Sequence, residues 1–287
     1  HYEKDELVIL YRNVSAFQEG RTLICDTLKF FSKKDKLLSV GNPHVWDKDY
    51  DLKSDSLTIF TKNNSGVALG NVTLIQKGQT INADKIEYIK DTNNNGVSYI
   101  ASGNVIIKDS SRTANCGKAT YNRKDEITTL EIEPQIFDND QILSGSKIIL
   151  NYKDEDLKEL NISKNAQAIT TIQGYKNIKN DSLNLVDTIK FENTIQGSKM
   201  TSFFNNGQLK LIQVEGMAKT LYHVFEDSIY MGKNNSSGDT IIMNFSDNSL
   251  DQININGGSK GEYIPDSLSN DVDSKINYSS DFIKYKL

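Results

Sequence analysis

One short motif recurs along the chain at nearly constant spacing. It consists of a small residue, then Asp, Ser or Gly, then apolar residues at alternate positions, as in Ala83-Asp84-Lys85-Ile86-Glu87-Tyr88. The second position of the motif falls at residues 26, 55, 84, 117, 146, 198 and 239, so the successive steps are 29, 29, 33, 29, 52 and 41 residues. A period of about 20–50 residues is typical of stacked repeats, each of which buries its apolar face against its neighbours.

A second motif interleaves with the first. Gly41-Asn42, Gly70-Asn71-Val72 and Gly103-Asn104-Val105 each open another apolar alternation, and Gly/Asn-rich segments such as 91–96 and 205–207 separate the alternating runs. Gly and Asn favour the tight turns that connect antiparallel strands. The sequence therefore predicts an all-β fold of short antiparallel strands, two to four in each repeat, and no amphipathic helix is evident.

The apolar side of the alternation defines a predicted interior, because a period of two places every second side chain on the same face of a strand. The predicted interior side chains are Leu28, Phe30, Leu57, Ile59, Val72, Leu74, Ile81, Ile86, Tyr88, Val105, Ile107, Tyr121, Ile148, Leu150, Met200, Ile241 and Met243. The tyrosines among them either line a groove or are strand residues with a solvated hydroxyl. Residues predicted on the outer face or in turns are Thr73, Gln76, Asn82, Asp84, Lys85 and Glu87.

The Asp, Ser or Gly column is predicted to mark bends. A small preceding residue leaves room at a tight bend, and an Asp or Ser side chain can bond to the backbone there. Four lysines follow this column: Lys85, Lys118, Lys147 and Lys199. They are interpreted as outer-face charges that discourage association between sheets. Contact with lipid phosphates is the alternative.

Composition and motifs exclude several functions. The content of 37% hydrophobic and 25% charged residues is that of a globular protein. The net charge is -5, and no cluster of Lys and Arg is dense enough to bind nucleic acid. The sequence contains no apolar run of about 18 residues, the length needed to span a membrane. His1, His44 and His223 lie in different repeats, and no common hydrolase, zinc-protease or redox motif occurs. We therefore predict that the protein is not an enzyme, with no catalytic residue, metal or cofactor and no nucleic-acid partner.

The two cysteines occupy equivalent columns three repeats apart. If each repeat adds two strands, Cys25 and Cys116 are separated by about six strand spacings, or about 29 Å, whereas a disulfide needs Cα atoms within about 7 Å. We expect both thiols to be reduced and unbridged.

Several segments resemble the organic-solvent-tolerance (OstA-like) family in sequence. They are Gly70-Asn71-Val72-Thr73-Leu74, residues 81–88 and Ala101-Ser102-Gly103-Asn104-Val105. The resemblance is clearest over residues 50–151 and extends over about 5–265. That family includes the periplasmic lipopolysaccharide-transport bridge and the N-terminal domain of its outer-membrane partner. The later part, with Gly197-Ser198-Lys199-Met200 and residues 257–261, is similar to the longer OstA-like proteins of Bacteroidetes-type bacteria.

This resemblance implies a half-open β-jellyroll, V-shaped in section, whose apolar groove shelters lipid acyl chains against the interior residues named above. It also implies lipopolysaccharide or a related lipid as ligand, and a location in the periplasm or at the outer membrane after removal of a signal peptide. We expect a single elongated domain of about seven repeats over residues 1–287, with a non-repeat insertion near 152–197 and a polar C-terminal tail at 266–287.

The ends of such a sheet are predicted to bind partners. Unpaired edge strands near residues 7–11 and 252–256 would pair with other jellyroll proteins of the transport machine or, head to tail, with a second copy. The alternative is a monomer in which the polar tail covers the C-terminal edge.

Two other functions stay open. One is a structural or adhesive β-solenoid scaffold of the cell envelope, whose interior is closed by its own side chains. The other is a carbohydrate-active β-helix enzyme, which would need paired carboxylates or a basic cluster on one exposed face. The scattered acidic residues disfavour the enzyme.

Overall fold

A computed structural model of the chain describes residues 6–18, 20–90, 97–180, 183–246, 249–267 and 274–286. Nearly all of these residues lie in antiparallel β-strands, and the helical segments among them are two 3-10 helices of three residues, Ser32–Lys34 and Thr61–Asn63. This confirms the predicted all-β fold class. The chain divides into two compact units, His1–Pro134 and Gln135–Leu287.

The first unit is a meander in which strands pair with neighbours close in the chain. Its strands are β1 (Leu7–Gln18), β2 (Arg21–Phe31), β3 (Lys36–Val40), β4 (His44–Trp46), β5 (Asp51–Lys53), β6 (Ser56–Phe60), β7 (Ser65–Gln76), β8 (Gln79–Lys90), β9 (Val97–Lys108), β10 (Arg112–Asn122) and β11 (Ile127–Glu131). Strand β2 pairs with β3 at one end and with β4 at the other, and β7 likewise pairs with β6 and β5. The long strands are therefore bent. We call the leg that contains β3 and β6 the first leg, and the leg that contains β4 and β5 the second leg.

The second unit continues the same pattern with longer strands. They are β12 (Gln135–Asp138), β13 (Gln141–Ser144), β14 (Lys147–Lys153), β15 (Asp156–Asn180), β16 (Leu183–Asn205), β17 (Gln208–Glu226), β18 (Ile229–Ser246), β19 (Ser249–Pro265) and β20 (Ile276–Lys286). The ladder between β15 and β16 occupies most of the segment 152–197. Strand β20 pairs with β19 from Gln252 to Tyr263. The edge predicted to be open at 252–256 is thus covered within the chain, because the C-terminal segment folds back along it.

The two sequence motifs meet at the corner between the legs. Gly70 and Asn71 have φ values of 75° and 44°, and the β7–β8 ladder shifts register between Leu69 and Val72. Two consecutive left-handed residues thus form a β-bulge that bends the strand. Position 70 has to be glycine for a second reason, because a Cβ atom there would overlap the carboxylate of Asp55.

The same pairing of the two motifs recurs in both units. An Asp or Ser side chain lies over the glycine in the pairs Asp26–Gly41, Asp55–Gly70, Asp84–Gly103, Ser198–Gly216 and Asp239–Gly257. One corner reverses the arrangement. There Gly117 stands at the Asp position, and Ile132, with a φ of 65°, stands at the glycine position. The repeated motifs therefore mark the corners between the legs, as predicted for the bend column.

Candidate functional site

The interior of the first unit is organised in rows that run across the strands. On the first leg, ladder register aligns Leu10, Leu28, Ser39, Leu57, Ala68, Ile86, Ala101, Ala119 and Leu130. On the second leg it aligns Ala16, Leu23, Val45, Leu52, Leu74, Ile81, Ile107 and Ala114. From Leu28 to Leu130 and from Leu23 to Ile107 every member of these rows is buried. Both legs of this unit therefore present a largely apolar face, in which Ser39 is the polar member of the first-leg row.

A more aromatic row lies beside the first-leg row. It contains Val8, Phe30, Leu37, Ile59, Gly66, Tyr88, Tyr99, Tyr121 and Thr128. The Tyr88 ring packs on the backbone of Gly66, where a Cβ atom would lie 2.5 Å from Tyr88 Cε1. Burial raises the pKa of Tyr88 and raises that of neighbouring Tyr50 to about 12. Both phenols are therefore neutral near pH 7, and this part of the interior carries no phenolate charge.

The first leg of the second unit, the leg that holds β14, has two comparable rows. One contains Ile148, Ile162, Met200, Val214, Ile241, Ile255 and Ile283. The other contains Leu150, Leu160, Ser202, Ile212, Met243, Ile253 and Tyr285. Met200 and Ile241 are fully buried. Each unit thus has an apolar interior of its own.

The predicted interior residues occupy these rows or the positions next to the corners. Fifteen are buried: Leu28, Leu57, Ile59, Val72, Leu74, Ile81, Ile86, Tyr88, Val105, Ile107, Ile148, Leu150, Met200, Ile241 and Met243. Phe30 and Tyr121 are half-buried. The alternation therefore identifies the inward face, and contact of these residues with lipid stays a prediction.

The prediction that Gln76 lies on the outer face or in a turn is wrong, since it is the last residue of β7. Its side chain is buried, because it continues the inward alternation of Val72 and Leu74. The Gln76 amide oxygen accepts a hydrogen bond from the Val97 backbone N–H at 3.2 Å, and its amide nitrogen donates to the Val97 carbonyl at 3.4 Å. A polar side chain can be buried when its groups are paired in this way.

The inward face is exposed at the β1 end of the first unit, which the sequence analysis missed. Leu10 stands in the same row as Leu28 but is 45% exposed, and Val8 beside it is 39% exposed. Leu28 is only 4% exposed. The apolar interior therefore continues onto accessible surface at this end.

On the second leg of the second unit the interior row becomes polar towards β20. On the second leg, the row of Ile136, Leu143, Ala168 and Ile195 continues as Thr220, Ser236, Gly261 and Tyr278. Tyr285, from the first leg, shares a hydrogen bond of 3.1 Å with Ser236 Oγ and a second hydrogen bond with the Tyr278 hydroxyl. Burial raises the pKa of Tyr285 to about 12. We call Ser236, Tyr278 and Tyr285 the tyrosine clasp, because they join the two legs.

The described histidines and acidic residues form no reactive cluster. His44 Nε2 lies 2.9 Å from Asp51 Oδ2, and His223 Nδ1 lies 3.0 Å from Asn193 Oδ1, in different units. His1 lies outside the described residues. In the part of the chain that the structure describes, no three His, Cys, Asp or Glu side chains are placed to hold a metal ion. No helix there is long and apolar enough to cross a membrane.

Lys85, Lys118 and Lys199, which follow the bend column, are each paired with a carboxylate. Lys85 contacts Glu87, the Lys118 ammonium lies 3.5 Å from Glu131, and the Lys199 ammonium lies 3.6 Å from Glu215. The partners are partly exposed, so each pair contributes about 0–1 kcal/mol at most. This pairing supports the interpretation of these lysines as outer-face charges.

Both cysteines are free and buried. Burial raises the pKa of the Cys25 thiol and raises that of the Cys116 thiol to about 11. Neither thiol is therefore a thiolate near pH 7, and neither is placed as a reactive group.

Comparison with known proteins identifies a matching family and similar solved structures. None of the curated proteins matches the chain. The chain is similar to LptH of Pseudomonas aeruginosa, described as the LptA homologous periplasmic component of the conserved lipopolysaccharide transport device. The sequence identity is 13% and the TM-score 0.35, with 49% of this chain and 93% of that chain covered. Residues 51–156 match the family described as LptA/(LptD N-terminal domain) LPS transport protein. These residues are therefore similar to the OstA-like family, and they cover nearly all of the range 50–151 where the sequence resemblance is clearest.

Proposed function

We propose that this chain shelters the acyl chains of lipopolysaccharide, or of a related lipid, in its apolar interior during transport through the periplasm between the inner and outer membrane. Strands β7 to β10, which carry four consecutive positions of each interior row of the first unit, lie within the residues that match the family. Burial of an acyl chain releases about 0.8 kcal/mol per methylene. A row across nine strands at about 4.8 Å spacing is about 38 Å long, longer than one acyl chain.

The exposed end of the first-leg row is the observation that carries this proposal. Leu57 and Ile86 are fully buried by the protein itself, so a lipid reaches them only if the legs separate. Val8 and Leu10 belong to the same face and are accessible, and Phe30 next to Val8 is half-buried. The first contacts of the lipid are therefore at the β1 end.

Photo-crosslinking tests this entry point. Benzoylphenylalanine placed at Leu10 or Phe30 is expected to crosslink lipopolysaccharide. The matched controls are Ile9 and Lys29, which directly precede those positions on the same strands and face the other side. Equal crosslinking on both faces, or none at Leu10 and Phe30, would contradict the proposal.

A scaffold without lipid cargo is the second candidate. It is favoured by the near-zero exposure of central residues such as Leu57, Ile86 and Ile148, because such burial is expected when the protein's own side chains fill the interior. Native mass spectrometry of protein purified from a lipopolysaccharide-producing host distinguishes the two. A bound glycolipid supports transport, and protein that stays lipid-free after incubation with lipopolysaccharide supports the scaffold.

The partners proposed for this function are other jellyroll proteins. In the described residues β1 forms its ladder with β2, and β20 forms its ladder with β19, which leaves one side of each strand for a partner. The corner pairs recur in both units. This recurrence supports one OstA-like repeat array along the chain.

A further inference from the structure

The outer face of the second unit carries a row of hydrogen-bonding side chains. Ladder register aligns Gln167, Gln196, Lys219, Ser237, Lys260 and Ser279 on six adjacent strands, β15 to β20. Their chain neighbours Ala168, Thr220 and Ser236 are buried, so the row points away from the interior. All six side chains can donate hydrogen bonds.

Part of this row lies in a depression. A groove of about 510 Å³ contains Gln196, Lys219, Ser237 and Lys260. A second groove of about 340 Å³ shares Gln196 and Lys219 and extends past Gln167. We call these two connected depressions the lysine groove.

The lysines of this groove differ from those after the bend column. Lys219 and Lys260 are exposed, and within the described part of the chain neither ammonium has a carboxylate partner. The acidic side chain in the groove wall is Glu262. Its carboxylate contacts the Lys275 ammonium and accepts a hydrogen bond from Asn235 Nδ2 at 3.4 Å. The groove therefore presents two uncompensated positive charges.

We infer that the lysine groove binds a phosphorylated saccharide. Lys219 and Lys260 are two strands apart, about 10 Å, a separation that a disaccharide can bridge. An ammonium group forms strong charge-assisted hydrogen bonds with phosphate. Ser237 lies between the two lysines and Gln196 lies beside Lys219, so both side chains can form hydrogen bonds with sugar hydroxyls. Half-buried Leu221 offers an apolar contact for the C–H face of a sugar ring.

This inference does not depend on a lipid in the interior. The same chemistry occurs in the headgroup of a glycolipid and in a soluble sugar phosphate. A nucleic acid would need a denser basic patch than two lysines. A protein partner would need more apolar surface at its centre than Leu221 provides.

Calorimetric titration of the full chain tests the inference. The ligands are trehalose 6-phosphate, trehalose and inorganic phosphate, and we expect the first to bind at least tenfold more tightly than the other two. The double variant Lys219→Gln/Lys260→Gln is expected to weaken its binding at least tenfold. The control is Lys210→Gln, which removes one positive charge from the strand that holds Lys219, where the Lys210 ammonium donates to Gln208 Oε1 away from the groove. This control should bind like the unchanged chain.

Three outcomes would overturn the inference: no binding of trehalose 6-phosphate, equal binding of inorganic phosphate, or equal weakening by Lys210→Gln. Phosphatidylcholine vesicles with and without lipopolysaccharide identify the source of the ligand. Vesicle binding that requires lipopolysaccharide and both lysines supports a glycolipid headgroup, whereas binding of trehalose 6-phosphate alone supports a soluble sugar phosphate. Loss of crosslinking at Leu10 would contradict the proposed transport function and leave these titrations unaffected.

Discussion

The carboxylate of Asp55 lies over the α-carbon of Gly70, in the space that a side chain at position 70 would need. Asp55 Oδ2 accepts a hydrogen bond from Asn71 Nδ2 at 3.0 Å, and the Asp55 backbone N–H donates to the Gly70 carbonyl at 2.9 Å. Steric fit and hydrogen bonding therefore act together at the corner. Because equivalent pairs recur in both units, substitutions at this one corner test the geometry of the others.

Replacing Gly70 by Ala is expected to destabilise the chain through backbone strain and overlap. A left-handed non-glycine residue costs about 1–2 kcal/mol, and crowding adds about 1–3 kcal/mol. Gly78→Ala is the matched control, because Gly78 has nearly the same φ of 73° but open space around it. Urea denaturation should show that Gly70→Ala lowers the free energy of unfolding by about 1–3 kcal/mol more than Gly78→Ala. Equal losses would show that overlap with Asp55 contributes nothing to the destabilisation.

The interior rows should tolerate substitution far less than the outer face. Ile86 is fully buried, and Ile86→Ala is expected to lower the free energy of unfolding by about 2–5 kcal/mol. Glu87→Ala on the next residue removes only a partly exposed partner of Lys85 and should cost about 0–1 kcal/mol. Chemical denaturation of both variants measures this difference. Similar losses would refute the assignment of the inward face.

The cysteines should stay reduced and react slowly in the folded chain. Burial raises the pKa of Cys116 to about 11 from an ordinary 9.0, so almost no thiolate is present near pH 8. Iodoacetamide labelling followed by mass spectrometry should show two modified thiols only after unfolding, at a mass that excludes a Cys25–Cys116 bond. Rapid labelling of the native chain, or a disulfide between them, would be inconsistent with this structure.

The tyrosine clasp should make stability fall at alkaline pH. The pKa of Tyr285 is raised from 10.0 to about 12, so between these values the unfolded chain loses the proton while the folded chain keeps it. The folded state then binds more protons, and the free energy of unfolding decreases as pH rises. Tyr285→Phe should show a shallower decrease over this pH range in thermal unfolding, since other buried phenols and Cys116 still contribute. An unchanged slope would show that the hydroxyl is not protected by the clasp.

Association is expected at the β1 edge. Static light scattering should show a mass that rises with concentration, and the pair Val8→Lys/Leu10→Lys should lower it, because charged lysines on an edge strand oppose strand addition. Deletion of residues 1–11 should have the same effect. Met217→Lys is the control, since Met217 is 79% exposed at a corner and not on an edge strand. A monomeric mass at every concentration, for the unchanged chain and for all variants, would contradict the proposed association at β1.

The fold class and the inward face follow from local sequence patterns. Alternation decides which side of a strand is apolar, so Leu57, Ile86, Ile148 and Met200 were identifiable as interior residues without a structure. The motif spacing also predicted the corners, because each bend needs its own small and left-handed residues. These are properties of neighbouring residues and require no knowledge of distant contacts.

Other features depend on residues far apart in the chain, which only the tertiary structure brings together. Alternation with Val72 and Leu74 turns Gln76 inward, but its amide is paired there only because the Val97 backbone, 21 residues away, lies beside it. Likewise, no local signal showed that Leu10 lies at an exposed row end. Nor did any show that, among the residues the structure describes, Lys199 has a carboxylate partner and Lys219 and Lys260 have none. Burial and charge pairing depend on the strand that lies alongside. The sequence therefore determined which face of each strand is apolar, and the tertiary structure decided which residues each face contacts.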